Sequence, residues 1–174
     1  MIGADLKSIT KNFLDTKHVR RQIDRARVKA LTKQGAFVRR AARSSIRAAR
    51  MKKPGEMTPG ERRSYEWAVA NAKRRGLKKP KRPKASSRPG EPPRSQVGTL
   101  RRFLFFSYDR HSQSVVVGPA RVPAKDQDAP HILEFGGTVD VGGRRVRIQP
   151  RPYMGPALAQ EQPNFAALWR NSIR

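Results

Sequence analysis

The chain has 174 residues, 36% of them hydrophobic, and carries 39 Lys and Arg against 13 Asp and Glu, a formal net charge of +26. That length allows one ordinary domain with a small core plus extensions, while the charge opposes a compact monomer and favours a polyanionic or acidic partner. The absence of cysteine excludes a disulfide framework and thiolate metal sites, and no apolar stretch approaches the ~20 residues of a membrane span.

Residues 3–50 read as one long helix. Ile9, Phe13, Val19, Ile23, Ala26, Ala30, Phe37, Ala41 and Ile46 recur near helical spacing, with basic residues on the other faces. Gly35 interrupts it at a cost of ~1 kcal/mol relative to alanine, which points to a kink or a close packing contact. The stripe is thin, so the helix needs a sheet or a neighbouring subunit against it. Pro54-Gly55 ends the segment. Thr58, Pro59 and Glu61 then form a capping box with proline in the first turn, and Gly76 supplies the stop of a second helix. Tyr65, Val69 and Ala72 share one face of that helix, with Trp67 off the stripe. Residues 77–96 hold the densest cluster of prolines without helical or strand period and read as an extended, polyproline-like basic linker. Residues 51–96 thus look like an insertion, an arm outside the sheet domain. Removing 77–90 is expected to leave that domain folded.

From Leu100 the pattern changes to strand. Residues 103–108 and 114–118 flank a polar turn and predict a first hairpin. A loop through Pro123 and Asp128 leads to a short helix from Ala129, with Asp128 as its cap and Pro130 in the first turn. Residues 138–141, Gly142-Gly143 and 144–148 predict a second hairpin with a two-residue turn. That turn pairs Val141 with Arg144, Asp140 with Arg145, Val139 with Val146 and Thr138 with Arg147. Val139, Val141, Val146 and Ile148 then share the core face, with Asp140 and Arg145 as an opposite-charge pair on the other. Pro150 and Pro152 hold the chain extended before Tyr153, and Pro156 suits the first turn of the last helix. Leu158, Phe165, Leu168, Trp169 and Ile173 give that helix an apolar side; Pro163 breaks or kinks it. The expected class is α+β: a long N-terminal helix, a four-stranded, mainly antiparallel sheet of two hairpins, a short helix between them and a C-terminal helix. Along the chain the division is 1–50 basic amphipathic helix, 51–96 basic helix and Pro-rich arm, and 97–174 sheet domain with the C-terminal helix.

No HExxH, Walker loop or GxSxG occurs, and His18, His111 and His131 lie far apart, so neither an enzyme nor a cofactor is expected. Asp126, Asp128 and His131 are the one combination with metal-ligand chemistry; a loop carrying a helix cap is the simpler reading. Two basic runs contain no acid. One lies between Asp24 and Glu56 and includes Arg39, Arg40, Arg43 and Arg47; the other holds Lys73, Arg74, Arg75, Lys78, Lys79, Lys81, Arg82 and Lys84. A face that only solvates the protein mixes both signs of charge, so these residues are candidate contacts to DNA or to an acidic partner. Residues 1–20 lack the charged-then-apolar order of a secretion signal, and a cytoplasm-like compartment is expected until assembly.

The last third carries the most specific pattern. Leu133, Glu134, Phe135, Gly136 and Gly137 precede the hairpin turning at Gly142 and Gly143. Arg151, Pro152, Tyr153, Met154, Gly155, Pro156, Ala157 and Leu158 follow it. With residues 88–95, Leu100-Arg101-Arg102 and Val115-Val116-Val117-Gly118-Pro119, this pattern resembles the neck or tail-completion (head–tail joining, minor tail protein) family of long-tailed bacteriophages. It covers residues 88–174 and, loosely, the first helix. The resemblance implies a structural virion protein of the head–tail junction, made in the host bacterial cytoplasm and assembled as a homo-oligomeric ring of six or twelve copies. It implies portal, adaptor or stopper and tail-terminator or tail-tube proteins as partners, packaged DNA as a further contact, and no membrane. Ring assembly would bury the thin stripe of the first helix. The basic, proline-rich insertion departs from the family pattern.

Within the motif, Glu134 is expected to pair with an arginine such as Arg151, locking hairpin against helix, with an intersubunit contact as the alternative. Tyr153 and Met154 read as core plugs, and Trp169 as part of an interface. The competing function is a sequence-independent nucleic-acid-binding protein, chromatin-like or ribosome-associated. No RNP motif, recognition helix, GXXG clamp or zinc module supports a sequence reader, so such binding would be electrostatic and salt-sensitive.

Overall fold

The computed structural model describes residues 16–120, 128–170 and 172. The elements in order are α1 (Thr16–Ser45), a 3-10 turn (Pro54–Glu56), α2 (Pro59–Arg74), the single turn α3 (Thr99–Arg102), β1 (Leu104–Asp109), β2 (Ser114–Pro119), α4 (Ala129–Phe135), β3 (Gly137–Val141), β4 (Arg144–Ile148), α5 (Met154–Glu161), a 3-10 turn (Gln162–Asn164) and α6 (Phe165–Arg170). This is the expected α+β class, with the long helix first, the short helix between the hairpins and the C-terminal helix divided around Pro163. The sheet differs from expectation: β1–β2 and β3–β4 are two separate two-stranded sheets. β2 ends in Gly118-Pro119, where proline offers no ladder N–H, and β4 carries three exposed arginines; neither makes a good edge for joining the hairpins. Ile9, Phe13, Pro123, Asp126 and Ile173 lie outside the described residues. Among those described, no helix is long and apolar enough to cross a membrane.

The described residues pack as two units. Of the described residues, the first takes in 16–41, 105–118, 157–170 and 172; the second 42–104, 119–120 and 128–156. In the first, α1 buries Ala26, Ala30, Gln34, Val38 and Ala41, spaced by four and three residues, with Gly35 beside Gln34, whereas Val19 and Ile23 stay exposed. Most of the buried stripe is alanine and glycine, which permits close approach. A Cβ on Gly35 would stand 2.5 Å from Val115 Cγ2 and 3.1 Å from Phe106 Cδ2. Gly35 is thus the close contact, within an unbroken helix. The Arg27 guanidinium donates to Gln113 in the β1–β2 turn and to Asp24, each at 2.5 Å. That turn is held by the Asp109 carboxylate, which accepts the His111 N–H at 2.9 Å and the Ser112 hydroxyl at 2.6 Å.

In the second unit the chain leaves α1 and runs past the proline-rich segment, which is pinned. Lys52 N–H donates to the Pro83 carbonyl (2.9 Å) and Ala85 N–H to the Arg50 carbonyl (2.8 Å), with the antiparallel bridge Met51–Lys84 between them. Farther along, Ser95 N–H donates to Arg47 (2.8 Å), Ala49 N–H to Ser95 (2.9 Å) and Gly90 N–H to Pro150 (2.9 Å). Ser87 and Pro93 are buried. The free arm is corrected accordingly: prolines donate nothing, but their carbonyls accept, and Ala85, Gly90 and Ser95 supply the N–H groups between them. Two ion pairs brace the start of α2. Arg50 grips Glu56 with both guanidinium nitrogens at 2.6 and 2.7 Å, drawing that carboxyl down to about 2. Lys52 holds Glu61 at 2.6 Å, lowering it as well. The capping box forms as read: Thr58 Oγ1 accepts the Glu61 N–H (3.3 Å) and Glu61 accepts the Thr58 N–H (2.9 Å).

The second hairpin has the expected register in every pair, from Val141–Arg144 through Thr138–Arg147, with Gly137–Ile148 closing the ladder. Among its described side chains the expected core face is only partly buried. Val139 and Ile148 are half-buried and Val146 is 44% exposed. Asp140 turns to its own loop, accepting the Gly143 N–H at 2.8 Å, and no ion pair to Arg145 forms among the described residues. The local N–H is nearer in sequence and costs no long side-chain ordering.

Candidate functional site

The two halves of the C-terminal motif meet through one carboxylate. α4 ends at Gly136 (φ +79°), whose N–H returns to the Ile132 carbonyl at 2.8 Å, so Glu134 sits on the last turn before the chain reverses. The hairpin brings the chain back, and Arg151 N–H donates to the Leu133 carbonyl at 2.6 Å. Glu134 then accepts three backbone N–H groups at the start of α5: Tyr153 at 2.9 Å and Met154 at 3.1 Å through Oε2, and Gly155 at 2.8 Å through Oε1. These are donors that a helix start leaves unpaired, placed where the helix dipole favours an anion. The expected Glu134–Arg151 ion pair is replaced by this cap. Arg151 instead donates from Nε to the Ser87 carbonyl at 3.2 Å.

The surrounding motif residues divide by burial. Tyr153 is 1% exposed, and its phenol is pushed up to about 12 by burial and by the nearby Glu134 charge; it is the core plug. Met154 and Pro152 are half-buried and Ala157 is buried, while Phe135 is 71% exposed and Leu158 and Pro156 lie on the surface. Gly142 (φ +61°) and Gly143 (φ +77°) make the two-residue turn. The Asp128 side chain does not cap α4; its backbone carbonyl accepts the Ile132 N–H instead. Among the described residues no group of three or more His, Asp and Glu is placed to hold a metal, and Asp126 lies outside them. Leu133 and Arg151 also line an apolar groove of about 420 Å³ together with Pro93, Leu100 and Pro130.

The candidate basic contacts fall into both units. The Arg39 guanidinium lies 5.7 Å from the Phe105 ring centre and that of Arg40 4.8 Å from Phe37, so both engage aromatic faces of their own unit. Arg43 is half-buried and Arg47 exposed. Lys84 donates to the Gln96 carbonyl. Lys73, Arg74 and Arg75 end α2 exposed; Lys78, Lys79 and Lys81 are exposed and Arg82 half-buried along the pinned tract. The structure brings Lys79, Lys81 and Arg82 beside Tyr65 of α2 around a cleft of about 520 Å³. Tyr65 was legible only as a helix-face residue. The tract also has a period that propensities for helix and strand do not report: Leu77, Pro80, Pro83, Pro89 and Pro92 are spaced by three or six residues, the repeat of a polyproline helix.

No protein-family model, curated protein or solved structure matches the chain.

Proposed function

We propose that this chain is a structural subunit of the head–tail junction of a long-tailed bacteriophage, a neck or tail-completion protein that assembles as a homo-oligomeric ring between head connector and tail. The observation that carries the reading is the Glu134 cap. Its carboxylate joins the two sequence segments on which the family resemblance rests, through three backbone N–H groups. A motif whose halves lock each other is a scaffold and needs no catalytic group. Exposed apolar side chains on Phe135, Val146 and Leu158 support an assembly that covers them. In this reading the partners are portal, adaptor or stopper proteins on one side and tail-terminator or tail-tube proteins on the other.

The test is quantitative mass spectrometry of gradient-purified particles from a lysate of the source culture, with filled heads and DNA-free tails measured separately. A copy number near six or twelve in complete particles supports the proposal and reports the ring symmetry. Recovery only with nucleic acid in the lysate, and none in particles, overturns it.

A further inference from the structure

We propose that the cleft between α2 and the proline-rich tract is a single-stranded nucleic-acid site. Lys79, Lys81 and Arg82 hold the phosphodiester backbone and the Tyr65 ring receives an unstacked base.

The cleft has the two chemistries that such a ligand presents in every nucleotide. Its apolar lining is Met51, Pro54, Pro80 and the Tyr65 ring; its charged lining is entirely cationic. At about 520 Å³ it is in the range of small-ligand pockets. The charge is not neutralised locally. Residues 67–90 contain nine Lys and Arg and no acid, and the nearby Glu56 and Glu61 are already held by Arg50 and Lys52. Glu66 stands next to Tyr65 in sequence, about 100° around the helix, and is exposed.

The cations are also pre-positioned. The tract is fixed by the Pro83 carbonyl and the Ala85 N–H, and prolines at period three keep it extended at ~3.1 Å per residue. Binding therefore orders side chains more than backbone, which lowers its entropic cost. An acidic peptide would satisfy the cations but carries no flat ring as a regular neighbour of each charge. A single strand supplies a phosphate and an aromatic face together, the combination that sequence-tolerant strand binders use.

The experiment uses the full chain and a fluorescein-labelled 20-nucleotide oligo-dT, with anisotropy titrations across a series of NaCl concentrations. Lys79→Gln/Lys81→Gln/Arg82→Gln is compared with Arg144→Gln/Arg145→Gln/Arg147→Gln, an equal loss of charge on exposed β4. The slope of log K against log salt should fall by about 2 in the first triple, three phosphates at ~0.7 each, and stay at the wild-type value in the second. Tyr65→Leu should weaken the single strand at least ~5-fold without changing the slope, and leave a 20-base-pair duplex unaffected. Photocrosslinking of wild-type protein to an iodouracil-substituted strand should place the adduct on Tyr65, whatever Tyr65→Leu does to folding. Equal losses in the two triples, crosslinks that avoid Tyr65, or displacement of the strand by polyglutamate as readily as by unlabelled oligo-dT would each overturn the proposal. The inference is independent of the neck reading: absence from virions leaves these outcomes unchanged.

Discussion

Replacing Glu134 by glutamine separates the cap from the ion pair that charge alone suggests. The side chain keeps its length and loses one acceptor and the charge. Its carbonyl can serve Gly155 or the Tyr153–Met154 pair of N–H groups but not both, and its NH₂ then faces backbone donors. Losing a hydrogen bond to a charged acceptor costs ~1.5–3 kcal/mol, and removing an anion from a helix start adds ~0.3–1 kcal/mol. Glu134 is half-buried, so solvent screening favours the lower half, a total of about 2–3 kcal/mol. At ~2–4 °C per kcal/mol for a chain of this size, the midpoint falls by roughly 5–10 °C. Urea and thermal unfolding followed by circular dichroism measure it, with Arg151→Gln alongside. Arg151 loses only its bond to the Ser87 carbonyl and should cost less than half as much. A Glu134→Gln variant within ~0.5 kcal/mol of wild type, or equal and non-additive losses in the two variants, would refute the cap and restore the ion pair.

Gly35→Ala should destabilise by ~1–2 kcal/mol in the same assays, because the clash with Val115 and Phe106 outweighs the ~1 kcal/mol gained in helix propensity; a more stable variant would mean that the hairpin yields freely. Tyr153 has a folded value of about 12 against an ordinary 10, so the unfolded chain ionises first. Its contribution is whole below pH 10 and disappears between pH 10 and 12; Tyr153→Phe should flatten the alkaline limb of a pH–stability profile relative to wild type. Glu56, held at about 2 by Arg50, contributes stability above its usual 4.5 that fades as pH falls towards 2. In an NMR titration Arg50→Gln should move its midpoint back towards 4.5. Gly142→Val forces a β-branched residue to positive φ; amide exchange should show β3–β4 opening while the global melt shifts by under ~0.5 kcal/mol, since the expected core face of that hairpin is largely uncovered.

What the sequence makes legible is local. The Gly142-Gly143 turn fixes the whole β3–β4 register, and Thr58-Pro59-Glu61 fixes the start of α2, because each depends on bonds a few residues long. The Glu134 cap spans about twenty residues, and charge counting points to arginine instead. A signal for it was nonetheless present. No Ser, Thr, Asp or Asn precedes Met154 to cap α5, so its free N–H groups required an acceptor from elsewhere. The same distinction explains the two main corrections. Alternation along β3 and β4 says which residues share a face but not whether anything covers it. Proline density says that residues 77–96 are extended but not that backbone carbonyls at Arg47, Arg50 and Pro150 are waiting for their few N–H groups. The site around Tyr65 was hidden for a related reason: its cations are evident in the sequence, but their aromatic neighbour lies a helix turn and a loop away.

The placement of the acids links these corrections to the charge. Asp109 and Asp140 close hairpin turns, Glu134 caps α5, Glu61 completes the box on α2, and Glu56 and Glu91 accept the N–H groups of Lys53 and Arg88. In each case a carboxylate organises a turn or a helix end within its own unit. Three acids also pair with cations, Asp24 with Arg27, Glu56 with Arg50 and Glu61 with Lys52, but 13 acids against 39 Lys and Arg leave most of the positive charge without a carboxylate. Self-repulsion on that scale weakens as phosphates or acidic side chains are bound. The same economy leaves Val146 exposed and Val139 and Ile148 only half-buried inside the second unit. Under the two proposals both deficits would be met by other molecules: a polyanion against the cations of the tract and a packed neighbour against the hairpin. In the proposed neck assembly these are packaged nucleic acid and the adjacent subunit, and a low hydrophobic content would suffice there because part of the core would be completed between copies.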